Sequence, residues 1–511
     1  MRFNNPAIIV AFGISLSAAH AARAADWLQY AGNAERHAHA VNAPAELSAN
    51  LWTAAMNSIG ETIVYEGPSS PVVHDGRIFA NARVLTGTTH TANKIVAIDM
   101  ADGAVLFETP IMKSTLNSWS SPAVDVDHST VLIGSGNTVY AIDSMAGGVV
   151  WSTSLTRSIV NASVAVAGDL KSGRAFITDY DGNGTSASLY CLNTSPFDLD
   201  INPFQPGRSL AGAHRRSSGN SPAYANGVVY VASVSALDSP GFPGDGQLYA
   251  FDVNGADGER LRWSVAVGDG FFGGVTVVDG FVYAASYDPF CGADNSVLVK
   301  VSATDGAVQW TIPCERTNSI PVVDGDRIYL SAGIPGFGSA PKVQAFADHG
   351  AFATKLWDTF ADTGGALAVG GWTHQPVYSE GVLYCGRIAT GNVFFGAYIE
   401  MFLLDVTRAP TEPEYVVDHV VGFGSTPAIC DGRLYSIGPD GLHATAALGD
   451  VCSGHSTRGD GVVDGADVPC FVELMLTDSP SAAETAIGDF DGDEMLTMND
   501  KALFVERLVG E

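Results

Sequence analysis

An acidic stretch near the C-terminus has the residue types and the spacing to hold a divalent cation. From Gly488 to Leu508 the chain reads GDFDGDEMLTMNDKALFVERL. Loop positions 1, 3, 5, 7, 9 and 12 are filled by Asp489, Asp491, Asp493, the Met495 carbonyl, Thr497 and Asp500. Calcium takes about six to eight hard oxygen ligands around a tight loop. The sequence therefore predicts a calcium site, and Glu494 at position 6, where glycine normally makes the turn, is expected to reduce its affinity.

A weaker copy of this loop precedes it. The segment STRGDGVVDGAD keeps carboxylates at positions 5, 9 and 12, which are Asp460, Asp464 and Asp467. Positions 1 and 3 fall on Ser456 and Arg458, and an arginine cation repels a second cation at short distance. We therefore expect weaker calcium binding here. An acidic turn that caps a helix is the alternative interpretation of either loop.

Each loop is followed by an apolar pattern at helical spacing. The pattern is Phe471, Val472 and Met475 in one half and Leu503, Phe504 and Leu508 in the other, so we expect two helices that pack together. A duplicated loop and helix with Asp at position 12 resembles the dockerin-type calcium module more than a two-helix EF-hand. For residues 449–511 this resemblance implies a tail that plugs a secreted protein, often a polysaccharide-degrading enzyme, into a cohesin-bearing scaffold.

Positions 10 and 11 of dockerin loops help to choose the partner. In this chain they are Gly465 and Ala466 in the first loop and Met498 and Asn499 in the second. They are not the hydroxyl-bearing pairs typical of the family. A cohesin-like partner and attachment to a cell surface therefore both remain open.

A repeated phrase organises the rest of the chain. Pro, then Gly, then Tyr or Phe recur in SSPVVHDGRIF at Pro71, SPAYANGVVY at Pro222 and TPAICDGRLY at Pro427. Counting weaker copies, the anchors are 43 to 57 residues apart. This period is typical of a propeller or of another array of one supersecondary unit.

Each unit continues with a second pair of apolar runs around an Asp-Gly or Gly-Gly turn, as in VAIDMADGAVLF. This is a hairpin signal, and four short strands make one propeller blade. The final unit, residues 424–448, has sequence for about three strands, and residues 27–56 could supply the missing outer strand. We therefore predict an all-β, eight-bladed propeller over residues 25–448, with seven or nine blades as alternatives, and a small α-helical tail.

An N-terminal motif points to a family. The pattern W-x-x-Y-x-G-N-x-x-R, at Trp27, Tyr30, Gly32, Asn33 and Arg36, in front of such blades resembles the pyrroloquinoline-quinone (PQQ)-type β-propeller repeat proteins. In that family the Trp or Phe that closes a blade docks on the next blade. The resemblance gives this role to Phe107, Trp151, Trp263, Trp310 and Trp357.

The same repeat serves quinoprotein dehydrogenases and non-catalytic scaffold propellers. The dehydrogenases hold the quinone against two adjacent cysteines and use an Asp base beside a calcium ion. No adjacent pair of cysteines occurs in this chain. We therefore expect calcium in the C-terminal loop and no bound PQQ.

The N-terminus and the composition bear on location and partners. Residues 1–24 have the pattern of a cleaved bacterial secretory signal, because Arg2 precedes an apolar run too short to span a bilayer. We expect a secreted, periplasmic or cell-surface protein without a membrane span. The net charge of −29, from 26 basic and 55 acidic residues, argues against nucleic acid as a partner. Export makes Cys291 with Cys314, and Cys452 with Cys470, candidate disulfides.

Three functions are compatible with these patterns. The first is a secreted, non-catalytic propeller that binds a protein or carbohydrate ligand through loops on one face, especially residues 193–216, 235–246 and 331–341. The second is an exported polysaccharide-active enzyme that carries a dockerin. The third is a PQQ-dependent dehydrogenase. Because the chain has no recognisable catalytic motif, we favour the first.

Overall fold

Short antiparallel strands form eight sheets, which are the blades of a propeller. The computed structural model describes residues 26–168, 173–180, 187–195, 208–209, 220–234, 245–255, 259–287, 294–335, 338–389, 397–451 and 459–509. The predicted propeller of eight blades is confirmed. In blades 2 to 7 the innermost strand comes first in the chain, and each later strand pairs with the one before it.

The strands follow the chain from blade 1 to blade 8. After β1 (Ala49–Ala54), blades 1 to 4 contain β2 (Val64–Tyr65), β3 (Val72–His74), β4 (Arg77–Thr86), β5 (Thr89–Asp99) and β6 (Val105–Ile111); β7 (Ala123–Asp125), β8 (Thr130–Ser135), β9 (Thr138–Asp143) and β10 (Val149–Ser154); β11 (Ala165–Ala167), β12 (Arg174–Thr178), β13 (Leu189–Asn193) and β14 (Arg208–Ser209); and β15 (Ala223–Ala225), β16 (Val228–Val234), β17 (Asp245–Asp252) and β18 (Leu261–Asp269). Blades 5 to 8 contain β19 (Val275–Val278), β20 (Phe281–Ala285), β21 (Ser296–Ser302) and β22 (Val308–Cys314); β23 (Val322–Asp324), β24 (Arg327–Ala332), β25 (Lys342–Asp348) and β26 (Ala353–Asp358); β27 (Val377–Ser379), β28 (Val382–Ile388), β29 (Tyr398–Asp405) and β30 (Val416–Val421); and β31 (Ala428–Cys430), β32 (Arg433–Ile437) and β33 (Leu442–Ala446).

The N-terminal strand closes the ring. Strand β1 pairs antiparallel with β33, with Ala49 opposite Ala446 and Ala54 opposite Leu442. The eighth sheet therefore has the order β1-β33-β32-β31. This pairing accounts for the short last unit of the sequence, because its outer strand comes from the other end of the chain. Closure also covers the sheet edges that would otherwise be exposed.

Tryptophans on the outer strands join neighbouring blades. The indole Nε1 of Trp151 donates to the Thr194 carbonyl of the next blade at 3.2 Å, and that of Trp263 to the Ala303 carbonyl at 2.9 Å. Trp52 on β1 does the same for the last blade, donating to the Met100 carbonyl of blade 1 at 3.2 Å. This is the docking that the family resemblance implies, although Trp52 was not among the residues it named.

Glycine is required where these rings dock. Gly306 has φ of +74°, and a Cβ there would lie 2.8 Å from the Trp263 ring. Gly103 is equivalent beneath Trp52, at 2.7 Å. The Asp-Gly turns that indicate hairpins in the sequence therefore also form the surfaces on which the tryptophan rings pack.

The N-terminal segment, residues 26–45, runs past the innermost strands. In five blades a backbone N–H group of the innermost strand donates to a carbonyl of this segment. The pairs are Val73 to Trp27 (2.8 Å), Val124 to Leu28 (2.8 Å), Tyr224 to Ala34 (2.8 Å), Val277 to Glu35 (3.0 Å) and Tyr378 to Ala38 (2.9 Å). Innermost strands have a free edge, and these bonds satisfy it. The segment thus links blades that are far apart in sequence.

Arg36 is the centre of this segment. Its side chain is 0% exposed and donates to the carbonyls of Tyr30 (2.7 Å), Val164 (2.9 Å), Pro222 (3.0 Å) and Ser163 (3.2 Å). Burial lowers the pKa of the guanidinium to about 10. A buried cation needs such partners. The Arg of the N-terminal motif therefore has a structural role, tying blades 3 and 4 together.

The described residues contain four helices outside the sheets: α1 (Thr359–Asp362), α2 (Val468–Met475), α3 (Ala482–Gly488) and α4 (Met498–Val509). The last three form the tail, and α3 packs on β1. Leu474, Ala483 and Ile487 belong to the same apolar core as Leu51 and Trp52. The tail is therefore packed against the strand that closes the propeller.

Several sequence-based predictions fall outside the described residues. They concern residues 1–24, most of the inserts 193–216 and 235–246, Ser456, Arg458, Cys291 and Cys452. Cys470 is disulfide-bonded, and Cys314 is buried. Within the described ranges every helix is too short or too polar to cross a membrane.

Candidate functional site

The structure brings three of the predicted calcium ligands together. Carboxylate oxygens of Asp489, Asp491 and Asp493 lie within 4.8 Å of one another. The first is placed by the end of α3, where its N–H donates to the Thr485 carbonyl at 2.9 Å. The pKa of the Asp493 carboxyl is raised, by desolvation first and by the nearby carboxylates as well. Clustered carboxylates repel one another, and a cation would relieve that repulsion.

Asp500 holds the same loop closed from its other end. It is 0% exposed, and its carboxylate accepts N–H bonds from Phe490 (2.7 Å), Asp491 (3.2 Å) and Thr497 (2.6 Å). It is not part of the three-carboxylate cluster. The Met495 N–H donates to Asp493 at 2.9 Å, and the Thr497 hydroxyl accepts from the Asn499 N–H at 3.1 Å. Of the six predicted ligands, the carboxylates at positions 1, 3 and 5 are the ones already gathered.

Glu494 makes the turn at position 6 without glycine. Its φ is +63°, in the left-handed region that glycine adopts without strain and other residues adopt at a cost of about 1–2 kcal/mol. Its N–H donates to Asp489 at 2.8 Å. The loop therefore has the expected shape in spite of the substitution.

The first loop repeats the hydrogen bonds of the second, with one carboxylate that sequence reasoning missed. Asp450 accepts the N–H groups of Asp460 (2.9 Å) and Gly461 (2.8 Å), as Asp489 accepts those of positions 5 and 6 in the second loop. Position 1 therefore belongs to Asp450, not to Ser456. Burial raises the pKa of the Asp450 carboxyl to about 7. The signal was present in the sequence, since Gly449-Asp450 repeats Gly488-Asp489.

The predicted carboxylates of the first loop accept hydrogen bonds from backbone N–H groups of the same loop. Asp467, buried at 0% exposure, accepts from the N–H groups of Val451 and Asp464, both at 2.9 Å. Asp460 accepts from Val462 at 3.2 Å, and Asp464 accepts from Ala466. Among the described residues, the first loop has no cluster like that of the second.

The two halves of the tail share an aromatic core. The rings of Phe471 and Phe504 stack with centroids 3.9 Å apart, and Phe490 packs edge-on against both. Phe471 stands four residues after Asp467, and Phe504 stands four residues after Asp500. The tail is thus a duplicated unit whose halves pack together, as the apolar spacing predicted.

A second candidate site lies on the propeller, where loops lead into the innermost strands. A cavity of about 210 Å³ is walled by five aromatic residues, Trp119, Tyr180, Phe272, Tyr287 and Trp372, and by Asn161 and Asn318. Leu116 and Val160 complete it. Five different blade-to-blade connections contribute. Sequence reasoning missed this site because each connection supplies only one or two of its residues.

The aromatic rings form one continuous wall. The Trp119 and Trp372 rings pack edge to face with their centroids 5.7 Å apart. The ring centroid of Tyr287 lies 5.7 Å from that of Trp372 and 5.1 Å from that of Phe272. Offset and edge-to-face contacts of this kind hold the rings in fixed orientations. The cavity is therefore largely preformed.

The cavity does not suit the quinone of the family's dehydrogenases. The described lining contains no Lys or Arg to pair with an anionic cofactor. It also contains no cysteine, and the sequence has no adjacent cysteine pair. Aromatic stacking and two uncharged amides are available for a quinone here, with no cation for its carboxylates, so the residues present do not fit that group.

Solved structures with propeller folds are similar at low identity. BamB from Moraxella catarrhalis is 14% identical, over 75% of this chain and 98% of that chain, with a TM-score of 0.48. The quinohemoprotein alcohol dehydrogenase ADHIIG from Pseudomonas putida HK5 is 11% identical, over 81% and 75%, with a TM-score of 0.48. A europium-containing methanol dehydrogenase is 9% identical, over 82% and 89%, with a TM-score of 0.49. No curated protein sequence matches the chain.

The family of the chain is shown by a match to a protein-family model, not by these structural similarities. The model described as outer membrane protein assembly factor BamB matches residues 11–253, 210–332 and 244–387. The three overlapping matches run through blades 1 to 6 and into blade 7, which is well over half of the 511 residues. The chain therefore belongs to the BamB-type family of PQQ-like propeller repeat proteins.

Proposed function

We propose that this chain is an exported, non-catalytic binding protein. The propeller recognises a ligand in the cavity lined by Trp119, Phe272, Tyr287 and Trp372, which we name the channel-mouth cavity. The tail is a calcium-binding module that attaches the protein to a partner or a cell surface. One observation carries the proposal: the cavity lined by Trp119, Phe272, Tyr287 and Trp372 offers stacking surfaces and amides. Binding pockets are mainly apolar with a few placed polar groups, and this cavity has that character.

The absence of catalytic groups from this lining supports a binding role. General acid–base chemistry needs a side chain whose pKa lies near the working pH, and glycoside cleavage needs a pair of carboxyl groups. The described lining contains no Asp, Glu, His, Ser or Cys. The buried Glu315, by contrast, is held by Lys342 at 3.4 Å in blade 6. The cavity is therefore suited to hold a ligand and not to cleave it.

Calcium in the second loop is proposed from its donor set. Asp489, Asp491 and Asp493 present hard oxygens within 4.8 Å of one another, and calcium prefers such ligands. The Met495 carbonyl, Thr497 and Asp500 would complete the coordination. The first loop, with Asp460, Asp464 and Asp467, is the weaker candidate, because its described carboxylates form no cluster like that of the second loop.

Attachment through the tail is proposed from what the tail leaves exposed. Its inner side is packed on β1, whereas Met498 is 69% exposed and Val472 is 50% exposed. Positions 10 and 11 of both loops, which select the partner in dockerins, carry Gly465, Ala466, Met498 and Asn499. A cohesin-like partner or a cell surface is the occupant we expect.

A cofactor and product assay tests the binding role. Purified full-length protein is mixed with PQQ and calcium, and its absorption spectrum and dye-linked alcohol oxidation are recorded; reducing-sugar release is measured on soluble polysaccharides. We expect no bound-quinone band, no oxidation and no release of reducing ends. Oxidation with bound quinone would establish the dehydrogenase, and sustained release of reducing ends would establish the polysaccharide-active enzyme. Either result would overturn the proposal.

A further inference from the structure

The polar atoms in the wall of the channel-mouth cavity indicate what kind of ligand fits. Asn161 and Asn318 both line it. The Oδ1 atom of each is buried and accepts no hydrogen bond from the residues that the structure describes. Leaving a buried acceptor unsatisfied costs about 1–3 kcal/mol. A ligand that carries hydroxyl donors would satisfy both.

The backbones that carry these two side chains are held by hydrogen bonds. The Asn161 N–H donates to the Ser118 hydroxyl at 2.8 Å, and the Asn318 N–H donates to the Trp372 carbonyl at 2.8 Å. Asn161 also adopts φ of +62°, a conformation that asparagine tolerates better than most residues. The backbone at both positions is thus held at the cavity wall before a ligand arrives.

The aromatic wall and the absence of charge restrict the ligand further. Trp119 is 6% exposed and Trp372 is 7% exposed, so both rings are held within the wall. The described lining has no charged side chain, so a carboxylate or an ammonium group would lose its hydration without a partner. At about 210 Å³ the space is below the roughly 300–1,000 Å³ of drug-sized sites. The cavity therefore suits one ring and not an extended chain.

We propose that the channel-mouth cavity binds one uncharged pyranose ring, at an end or branch of a neutral glycan. The apolar C–H face of the sugar packs on the aromatic wall formed by Trp119, Trp372 and Tyr287. Its hydroxyls donate to Asn161 and Asn318. An apolar aromatic side chain of a peptide would stack on the same wall but would leave both acceptors unsatisfied. This assignment rests on the binding role proposed above and names the ligand of that same site.

Binding is tested with full-length protein by isothermal titration. The probes are methyl glycosides of glucose, galactose, mannose, xylose and N-acetylglucosamine, with glucuronic acid as the charged comparison. At least one neutral glycoside is expected to bind saturably, and glucuronic acid at least about tenfold more weakly. If no neutral glycoside binds, or if glucuronic acid binds equally well, the assignment is wrong.

Variants locate the binding to the cavity. Trp119→Ala and Asn318→Ala are each expected to weaken binding about tenfold or more, as residues central to a site do. Asn318→Asp keeps an acceptor at the same place and is expected to retain more binding than Asn318→Ala. Phe352→Ala, which removes a ring that is 56% exposed on blade 6, is the matched control and is expected to bind as the wild type does. Unchanged binding in folded Trp119→Ala, checked by its melting temperature, would overturn the assignment.

The outcomes separate the two proposals. If a free aromatic dipeptide binds and the glycosides do not, the ligand assignment fails while the binding role stands. If a glycoside binds and is then hydrolysed or oxidised, the non-catalytic role fails while the ligand assignment stands.

Discussion

The two loops of the tail share one frame but face different surroundings. In both, an Asp at position 1 accepts N–H groups of positions 5 and 6, and a buried Asp at position 12 accepts N–H groups from both ends of the loop. The first loop lies against the propeller, where the Gly461 carbonyl accepts from the Ala45 N–H at 3.0 Å. The second loop is exposed and gathers three carboxylates.

This difference indicates that the two copies of the loop have different roles. The first loop has glycine at position 6, and the close approach of residues 42–45 requires it. The second loop has Glu494 there and no neighbouring chain to accommodate. We infer that the first loop docks the tail on the propeller, whereas the second is the one available to a cation. The predictions below separate these two roles.

Gly461→Ala is expected to produce the greatest loss of stability. Gly461 has φ of +93°, and a Cβ would lie 2.3 Å from the Ala43 carbonyl oxygen. Left-handed strain and overpacking together should cost about 3 kcal/mol. The measurement is chemical denaturation of the full-length protein, which should show a lower transition midpoint.

Two other glycines of the tail are matched controls. Gly492 has φ of +73° with no neighbour within 4 Å, and Gly465 has neither a left-handed φ nor a neighbour. Alanine should cost about 1 kcal/mol at Gly492 through strain alone and almost nothing at Gly465. Equal losses at Gly461 and Gly492 would show that the contact with the propeller does not matter, and the docking role would be wrong.

Asp489→Ala combined with Asp500→Ala is expected to abolish the stabilisation by calcium. At a calcium concentration of about 100 times Kd, binding to the native state adds about 2.7 kcal/mol to the free energy of unfolding. The wild type should therefore melt at a higher temperature with calcium than with a chelator, and the double variant at the same temperature in both. Scanning calorimetry measures this difference.

The control for the calcium response removes two carboxylates of the first loop. Asp460→Ala with Asp464→Ala leaves the second loop intact and should retain most of the calcium response. If this variant loses the response and the second-loop variant keeps it, the assignment of the two loops is reversed.

Much of the propeller could be predicted from sequence because its signals are local. Pro71, Pro222 and Pro427 mark strand starts, and Asp-Gly turns mark hairpins, within a few residues of the strands they join. The docking of Trp52 could not be read in the same way. It lies in front of the first full unit, and its partner strand β33 comes from the opposite end of the described propeller.

The candidate sites also differ in whether their residues are close together in sequence. The Asp489 loop is contiguous, so its spacing was visible, and the clustering of Asp489, Asp491 and Asp493 follows from it. Asp450 was missed because the first loop contains an insertion. Residues 452–458 stand where the second loop has the single residue Asp491, so Asp450 is much farther from Asp460 in sequence than Asp489 is from Asp493. The residues of the channel-mouth cavity come from five blade-to-blade connections and from two loops within blades. Only the assembled ring brings them together.

Glu494→Gly tests whether backbone strain limits the second loop. Glu494 holds φ of +63°, and glycine relieves a strain of about 1–2 kcal/mol, offset in part by about 0.4–1 kcal/mol of greater flexibility in the unfolded loop. Loss of the carboxylate also weakens the attraction for calcium, so the comparison is Glu494→Ala, which removes the charge but keeps the strain. Calcium titration should show Glu494→Gly binding about fivefold more tightly than Glu494→Ala, which corresponds to about 1 kcal/mol. Equal affinities would mean that the exposed loop adopts its binding shape without strain, and its difference from the first loop would then lie in the carboxylates alone.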